Sequence, residues 1–204
     1  MPRISDAKQR LMDAAQNLIW ESSYGATSVD DICARADVRK GSFYHFFKSK
    51  SDLEIAALEA DWQFKKSHYN EIFSPTVPPL QRLEGFFDFI YQRQSDFEKK
   101  SGSVLGCPYC AVGSEVSLQD AGIRAKVREI FEGMVKYLES AIRDAHAQGL
   151  IHAPDAATKA KLLHTYFTGV MSQARIANDL SLVRAMKAGA LDLLGVRQSE
   201  PAGV

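Results

Sequence analysis

Apolar residues recur at helical spacing from one end of this chain to the other, and nowhere do they alternate in the manner of a strand. Leu11, Ala14, Ala15, Leu18 and Ile19 form one stripe, which predicts a first helix capped by Ser5 or Asp6, running to about Ser22 and ended by Gly25. Val29, Ile32, Cys33 and Ala36 repeat at i, i+3, i+4 and i+7 and mark a short second helix. A third opens after Asp37, with basic residues at its start and Phe43, Phe46 and Phe47 in its body. Two such short helices bury too little surface to stand alone, so the first is expected to pack across them as a three-helix head.

Ser49 and Asp52 signal a long fourth helix that carries Leu53, Ile55, Leu58 and Trp62 and stops before Pro75. Pro75, Pro78 and Pro79 make the clearest break in the chain. An aromatic-rich helix follows from Leu80 to Phe97, then a loop from Ser101 to Pro108. Further helices are expected over Tyr109 to Val116, Ile123 to Ala147, Pro154 to Ala177 and Leu180 to Leu194, divided by Gly149, Pro154 and Asn178. With no repeat, low-complexity tract or strand pair in the pattern, the fold class is all-α, with about nine helices. The expected division is 1–50 for the head and 51–204 for the remainder.

Composition sets few limits. Of 204 residues, 46% are hydrophobic and 25% charged, an ordinary globular balance. No apolar run approaches the roughly 18–20 residues of a membrane span, and Met1 to Arg10 is too polar for a signal peptide, so a cytoplasmic protein with no membrane partner is expected. The formal net charge of zero at first counts against nucleic acid as a partner. Its distribution removes the objection: from Arg35 to Lys50 there are five basic residues (Arg35, Arg39, Lys40, Lys48, Lys50) against Asp37 alone.

Two short helices joined by a tight turn, the second basic, have the makings of a reader of duplex DNA. In a helix-turn-helix the N-terminal residues of the second helix enter the major groove. Arg39 and Lys40, at its start, can reach base edges such as guanine O6 and N7. Ser42 and Tyr44 can donate to phosphate or touch a thymine methyl, and His45 and Lys48 lie within a turn of the same surface. Gly41 would let this helix approach its neighbour closely, and Phe43, Phe46 and Phe47 would anchor it as core. The bland alternative is a solvated hairpin with an incidental charge cluster. Residue order, local charge and the three aromatics together favour DNA.

The order Thr27, Ser28, Val29 to Ala36, then Val38, Lys40, Gly41, Ser42, Phe43, Tyr44, Phe46, Phe47, Lys50 and Leu53 closely resembles the DNA-binding domain of the TetR family of bacterial transcriptional repressors. The likeness runs from about Ala7 to Leu53. It implies a ligand-responsive repressor that binds double-stranded, palindromic operator DNA as a homodimer, without enzymatic activity or cofactor. It also implies backbone contacts for Tyr44 and His45, and places Thr27 and Lys50 on phosphates. The last two helices would form a four-helix interface with the partner chain, with Leu163, Phe167, Val170, Leu191 and Leu194 supplying apolar area and Gly169, Ala174 and Ala177 allowing close approach. By pattern alone, the same residues fit this chain's own core equally well.

An input site for an unknown small-molecule effector would be built from the aromatics between residues 80 and 170, with Tyr91, Tyr137, His164 and Gln173 as candidate polar lining. The segment Gly106-Cys107-Pro108-Tyr109-Cys110, with Glu115 eight residues after the first Cys, resembles a Gly-Cys-Pro motif found in a subset of TetR-like repressors. Some members sense electrophiles or oxidants with that Cys. This chain departs from the motif in carrying Cys110 where Gly is usual and Ala111 where Asn is usual. With Pro108 at the first helical position, Cys107 would be an N-cap, where the helix dipole lowers a thiol pKa. The Cys107 and Cys110 pair admits three readings: inert packed side chains, a disulfide or electrophile sensor, and a metal site completed by His146, His152 or His164. Nothing in the spacing brings those histidines near, so no metal is expected. Cys33, on an apolar face, is expected in the core. Cys-Pro-Tyr-Cys is also a glutaredoxin active-site sequence, so the rival function is a thiol oxidoreductase, a chemistry that needs a βαβ setting absent from this pattern.

Overall fold

A computed structural model describes residues 4–196. Among them are nine helices and no strand: α1 (Ile4–Glu21), α2 (Val29–Ala36), α3 (Lys40–Phe46), α4 (Lys50–Ile72), α5 (Pro79–Ser101), α6 (Pro108–Val116), α7 (Ala121–Ala147), α8 (Ala156–Ala177) and α9 (Leu180–Leu193). None is long and apolar enough to cross a membrane.

Local chemistry accounts for most of the boundaries. Because α1 has begun by Ile4, Ser5 and Asp6 lie inside its first turn and do not cap it. Ser28 caps α2 with a reciprocal box: its Oγ accepts from the Asp31 N–H at 3.1 Å, and Asp31 Oδ2 accepts from the Ser28 N–H at 2.8 Å. The helix ends where Asp37 turns left-handed at φ 51°, a conformation that Asp tolerates better than most residues. Ser49 Oγ accepts from the Asp52 N–H at 3.0 Å and opens α4. Pro79 and Pro108 start α5 and α6, with Cys107 at the N-cap of α6 as anticipated. The fifth helix runs a turn beyond its expected end at Phe97, to a left-handed Gly102. Asp155 rather than Pro154 begins α8, accepting from the Thr158 N–H at 3.0 Å.

The chain packs as two compact units. One comprises the described residues up to Lys66 together with Cys107–Phe131; the other comprises Ser67–Gly106 and the described residues from Glu132 onward. In the first unit α6 and the start of α7 join the head, because glycines allow close seating: a Cβ on Gly113 would lie 3.1 Å from Val127, and one on Gly122 3.0 Å from Ile55. Leu11, Ile19, Ile32, Phe43 and Leu53 form this unit's buried centre, with Cys33 and Phe47 also buried. Phe46 is only half-buried, and Gly41 faces open space, so the anchoring role falls to Phe43 and Phe47 and no close helix approach depends on Gly41.

In the second unit, α5, α8 and α9 pack with the later turns of α7 around Leu83, Phe86, Leu138, Ile142, Phe167, Met171 and Met186. Phe86 meets Phe167 edge-on at 5.6 Å and continues into a ring cluster with Tyr69, Phe73 and Tyr137. The buried Arg82 ties down the proline break: it pairs with Asp144 at 2.6 Å and donates to the Pro75 and Val77 carbonyls.

This core corrects the expected dimer residues. Leu163, Phe167, Ala174, Leu191 and Leu194 are all buried within this chain, and Val170 is half-buried. Leu163, Val170 and Leu194 each stand next in sequence to a residue of the face that is open. On that face are Leu162, exposed to 60%, Ile176 to 78% and Leu193 to 51%, along with Gly169 and Ala177.

Candidate nucleic-acid interface

The third helix presents its predicted readers to solvent. Arg39, Lys40, Ser42, Tyr44, His45 and Lys48 are all exposed, while Phe43 at 0% and Phe47 hold the helix down. Tyr44 keeps its phenol outward with its ring edge-on to Phe43 at 5.1 Å, and His45 stands edge-on to Phe46 at 5.1 Å. Gly41 adds no side chain to this surface, leaving the backbone bare. Lys40 is not a free cation: its Nζ lies 2.8 and 3.0 Å from the Asp30 carboxylate of α2, and that hydrogen bond raises its pKa.

Two expected phosphate contacts lie elsewhere. Thr27 is only 3% exposed, and its hydroxyl donates to the Ser23 carbonyl at 2.9 Å and lies 3.2 Å from Ser22 Oγ. Lys50 turns inward, with its Nζ donating to the Tyr24 and Thr27 carbonyls at 2.8 Å each and lying 4.0 Å from the centre of the Tyr24 ring. Burial pushes its pKa down, against the attraction of Glu115 and Glu54. Both residues build the turn between α1 and α2, a role invisible to motif matching, because capping and turn contacts depend on where the chain folds back.

The same turn is held from α6. Glu115 accepts from the Tyr24 N–H at 2.9 Å and the Gly25 N–H at 2.6 Å. A Cβ on Gly25 would come within 2.9 Å of Glu115 Oε1, so only glycine admits the carboxylate without a shift. Glu54, missed in the sequence, is nine-tenths buried beneath this turn. Burial pushes its carboxyl up to about 7, opposed by the charge of Lys50, and Oε2 has no hydrogen-bond partner among the described residues. Its i, i+4 spacing from Lys50 was the available signal. The Tyr24 phenol is pushed up to about 12, first by burial and then by Asp120, Glu54 and Glu115.

At the start of α6 Cys107 is buried and Cys110 half-buried. A hydrogen bond from Cys110 holds the Cys107 thiol below its ordinary range, against burial and with help from the Lys65 charge. The bond to Cys107 pushes Cys110 up, and burial adds to the shift. Beside them lies a buried polar trio in which Asp61 Oδ2 accepts from Lys65 Nζ at 2.5 Å and from Tyr109 Oη at 2.6 Å. No group of three or more His, Cys, Asp or Glu able to hold a metal occurs among the described residues. His146, His152 and His164 belong to the second unit, the cysteines to the first.

The candidate effector residues scatter within the second unit. Tyr91 accepts from Arg184 at 3.0 Å, Tyr137 donates to Asn70, and His164 is buried beside Phe167 with its pKa pushed down to about 4 by burial. Gln173 is exposed on the outer side of α8 and does not line an interior pocket, because Met171 and Ala174, spaced i, i+3, take the inward face. A cleft of about 760 Å³ instead involves Leu80, His146, Leu150, Ile151, His152 and Val196.

A three-helix head that keeps its basic third helix open to solvent, followed by a helical body, defines a helix-turn-helix DNA-binding regulator. Residues 11–57 match the family described as bacterial regulatory proteins, tetR family, and residues 79–189 match the tetracyclin repressor-like C-terminal domain. The chain belongs to the TetR family of transcriptional regulators. Its relatives include the transcriptional regulator AcuR of Cereibacter sphaeroides, 30% identical over 78% of this chain and 73% of AcuR. The repressor DhaR of Mycobacterium sp. is 29% identical over 72% and 73%, and the repressor NemR of Escherichia coli 25% over 85% and 86%. In fold the chain is similar to a TetR-family regulator from Agrobacterium tumefaciens (TM-score 0.84, 22% identity, 94% of this chain and 99% of the other). It is also similar to reduced E. coli NemR (TM-score 0.78, 20%, 94% and 100%). The relatives are named as transcriptional regulators or repressors, and Cys107 and Cys110 stand at the start of a helix, with no strand among the described residues.

Proposed function

We propose that this regulator is a cytoplasmic repressor that binds a palindromic operator as a homodimer through α3 and leaves it when an effector acts on the rest of the chain. The carrying observation is the exposed set Arg39, Lys40, Ser42, Tyr44, His45 and Lys48 on a helix pinned by Phe43 and Phe47. Arg39 and Lys40 read bases; Ser42, Tyr44, His45 and Lys48 meet the phosphates. Residues 1–50 act as the head, and 51–204 receive the effector and pair the subunits. Pairing uses the open face of α8 and α9 at Leu162, Gly169, Ile176 and Leu193, because apolar side chains this exposed gain most from a second copy. DhaR and NemR are both repressors, which supports the sign of control.

Selection of bound duplexes from a random library, followed by gel shift at several salt concentrations, tests this. The expected product is a symmetric site whose affinity falls steeply with salt. Retention of no sequence over competitor DNA at low salt rejects it.

A second reading of the input side rests on Cys107, whose acidity is raised by Cys110. Peroxide would take the Cys107 thiolate to sulfenic acid with loss of hydroxide; attack by the Cys110 thiol then expels water and leaves a disulfide. Peroxide-induced release from DNA in the wild type but not in Cys107→Ser is the expected result, and identical behaviour of the two rejects this reading.

A further inference from the structure

Glu54 of α4 is 2% exposed, and its Oε2 meets no hydrogen-bond donor among the described residues. A carboxylate in that setting has lost its water and gained no donor in exchange, so burial holds the proton on well above the ordinary range. One helical turn earlier stands Lys50, whose ammonium is engaged elsewhere. It donates to the Tyr24 and Thr27 carbonyls at 2.8 Å each and lies 4.0 Å from the centre of the Tyr24 ring.

The two charge states of Glu54 act differently on Lys50. Protonated, Glu54 is neutral and leaves the ammonium to the two carbonyls. Ionised, it sets a full negative charge at i, i+4 from Lys50 inside the protein, where the attraction is stronger than on a helix surface. Because Oε2 has no partner now, Lys50 must move to reach it, and moving takes it from the turn. Thr27 directly precedes Ser28, the cap of α2, so a carbonyl that loses its donor there loosens the backbone where the helix-turn-helix begins. Lys50 and Tyr24 are the titratable groups that interact with Glu54; Glu115 of α6 bears on both of them, and Asp120, just ahead of α7, on Tyr24. Tyr24, pushed up to about 12, keeps its proton at neutral pH, whereas the surroundings of Glu54 move its titration into that range.

We propose that Glu54 is a proton switch for the reading head: with its proton in place the turn before α2 is held and DNA is bound, and loss of that proton draws Lys50 off the turn and weakens binding. The switch rests on the DNA-binding reading and adds to it an input, acidity, that needs neither a pocket nor a thiol. Linkage fixes the sign. If the head that binds DNA is the one that holds the proton, binding takes up protons and affinity falls as pH rises through neutrality.

The test uses the full chain and a duplex it has itself selected. Fluorescence anisotropy at constant ionic strength follows affinity between about pH 6 and 8.5, the range that spans this titration, with circular dichroism keeping every point below the melting transition. Glu54→Gln is neutral at every pH and close in shape; Glu54→Met is a second neutral variant should the buried amide hinder folding. Wild type and variant should bind alike at the acid end, and the variant should bind about fivefold more tightly at the alkaline end. His45, on the reading face, is common to all three proteins and cancels in the ratio. A residue that only stabilises the fold would shift the melting temperature with pH and leave this ratio flat. A constant ratio with the duplex still bound, or one that favours wild type at high pH, overturns the switch and leaves DNA binding standing. No binding at any pH rejects both.

Discussion

The ammonium of Lys50 lies 2.8 Å from the Thr27 carbonyl, and both residues are spent on the turn between α1 and α2. The first prediction follows from this. Lys50→Met removes a charged donor from two carbonyls and should lower stability by about 1–2 kcal/mol, seen as a lower melting temperature, with DNA binding falling as a consequence. An unchanged melting temperature with weaker binding to every sequence would return Lys50 to the phosphates.

Arg39 and Lys40 should differ in effect. Arg39→Ala should cost about 1–3 kcal/mol on the selected duplex and blur preference at particular base pairs. Lys40 shares its charge with Asp30 at 2.8 Å, so Asp30→Asn should release it and tighten binding, most of all on the selected duplex. Fluorescence anisotropy on selected and scrambled duplexes checks both. Weaker binding by Asp30→Asn contradicts the assignment.

Glu54 should leave a mark on stability against pH. Its carboxyl titrates near 7 when folded and near its ordinary 4.5 when unfolded, with Lys50 and Tyr24 the titratable groups that interact with it. The folded state thus holds the extra proton between about 4.5 and 7, and the stability this gives is complete below 4.5 and lost as pH rises through 7. Glu54→Gln should be more stable than wild type at pH 8, by on the order of 3 kcal/mol, with the advantage vanishing near pH 4.5. His164 acts in the opposite sense, its contribution present above 6.5 and lost as pH falls toward 4, so the difference between variant and wild type is the quantity to follow. Parallel melting curves for the two proteins across this range would refute the assignment.

The open face of α8 and α9 should govern pairing, and the buried face folding. Ile176→Asp and Leu162→Asp should yield folded monomers, whereas Leu163→Ala should cost about 2–5 kcal/mol of fold stability through a core cavity. Sedimentation with circular dichroism separates the two effects. A dimer that survives Ile176→Asp and Leu162→Asp together places the interface elsewhere.

Much of this was legible in the chain. Val29 to Ala36 announced α2 to the residue, because its apolar period, the Ser28 cap and the Asp37 stop agree with one another. Cys107 and Pro108 announced the start of α6 for the same local reason. The second helix face was harder. Leu163 and Leu162 are neighbours in sequence with equal hydrophobicity, and which of them faces inward depends on what α8 packs against.

By itself, the sequence determined what each short segment does alone: helices where periods and caps coincide, a basic turn-linked pair, and membership of a family through its residue order. Tertiary structure decided every question of direction. It turned Thr27 and Lys50 from presumed DNA contacts into turn supports, buried Glu54, exposed Gln173, and brought Glu115 to the amides of Tyr24 and Gly25. The reason is physical: propensity and capping act over four residues, whereas burial and long-range hydrogen bonds are set by partners some ninety positions away.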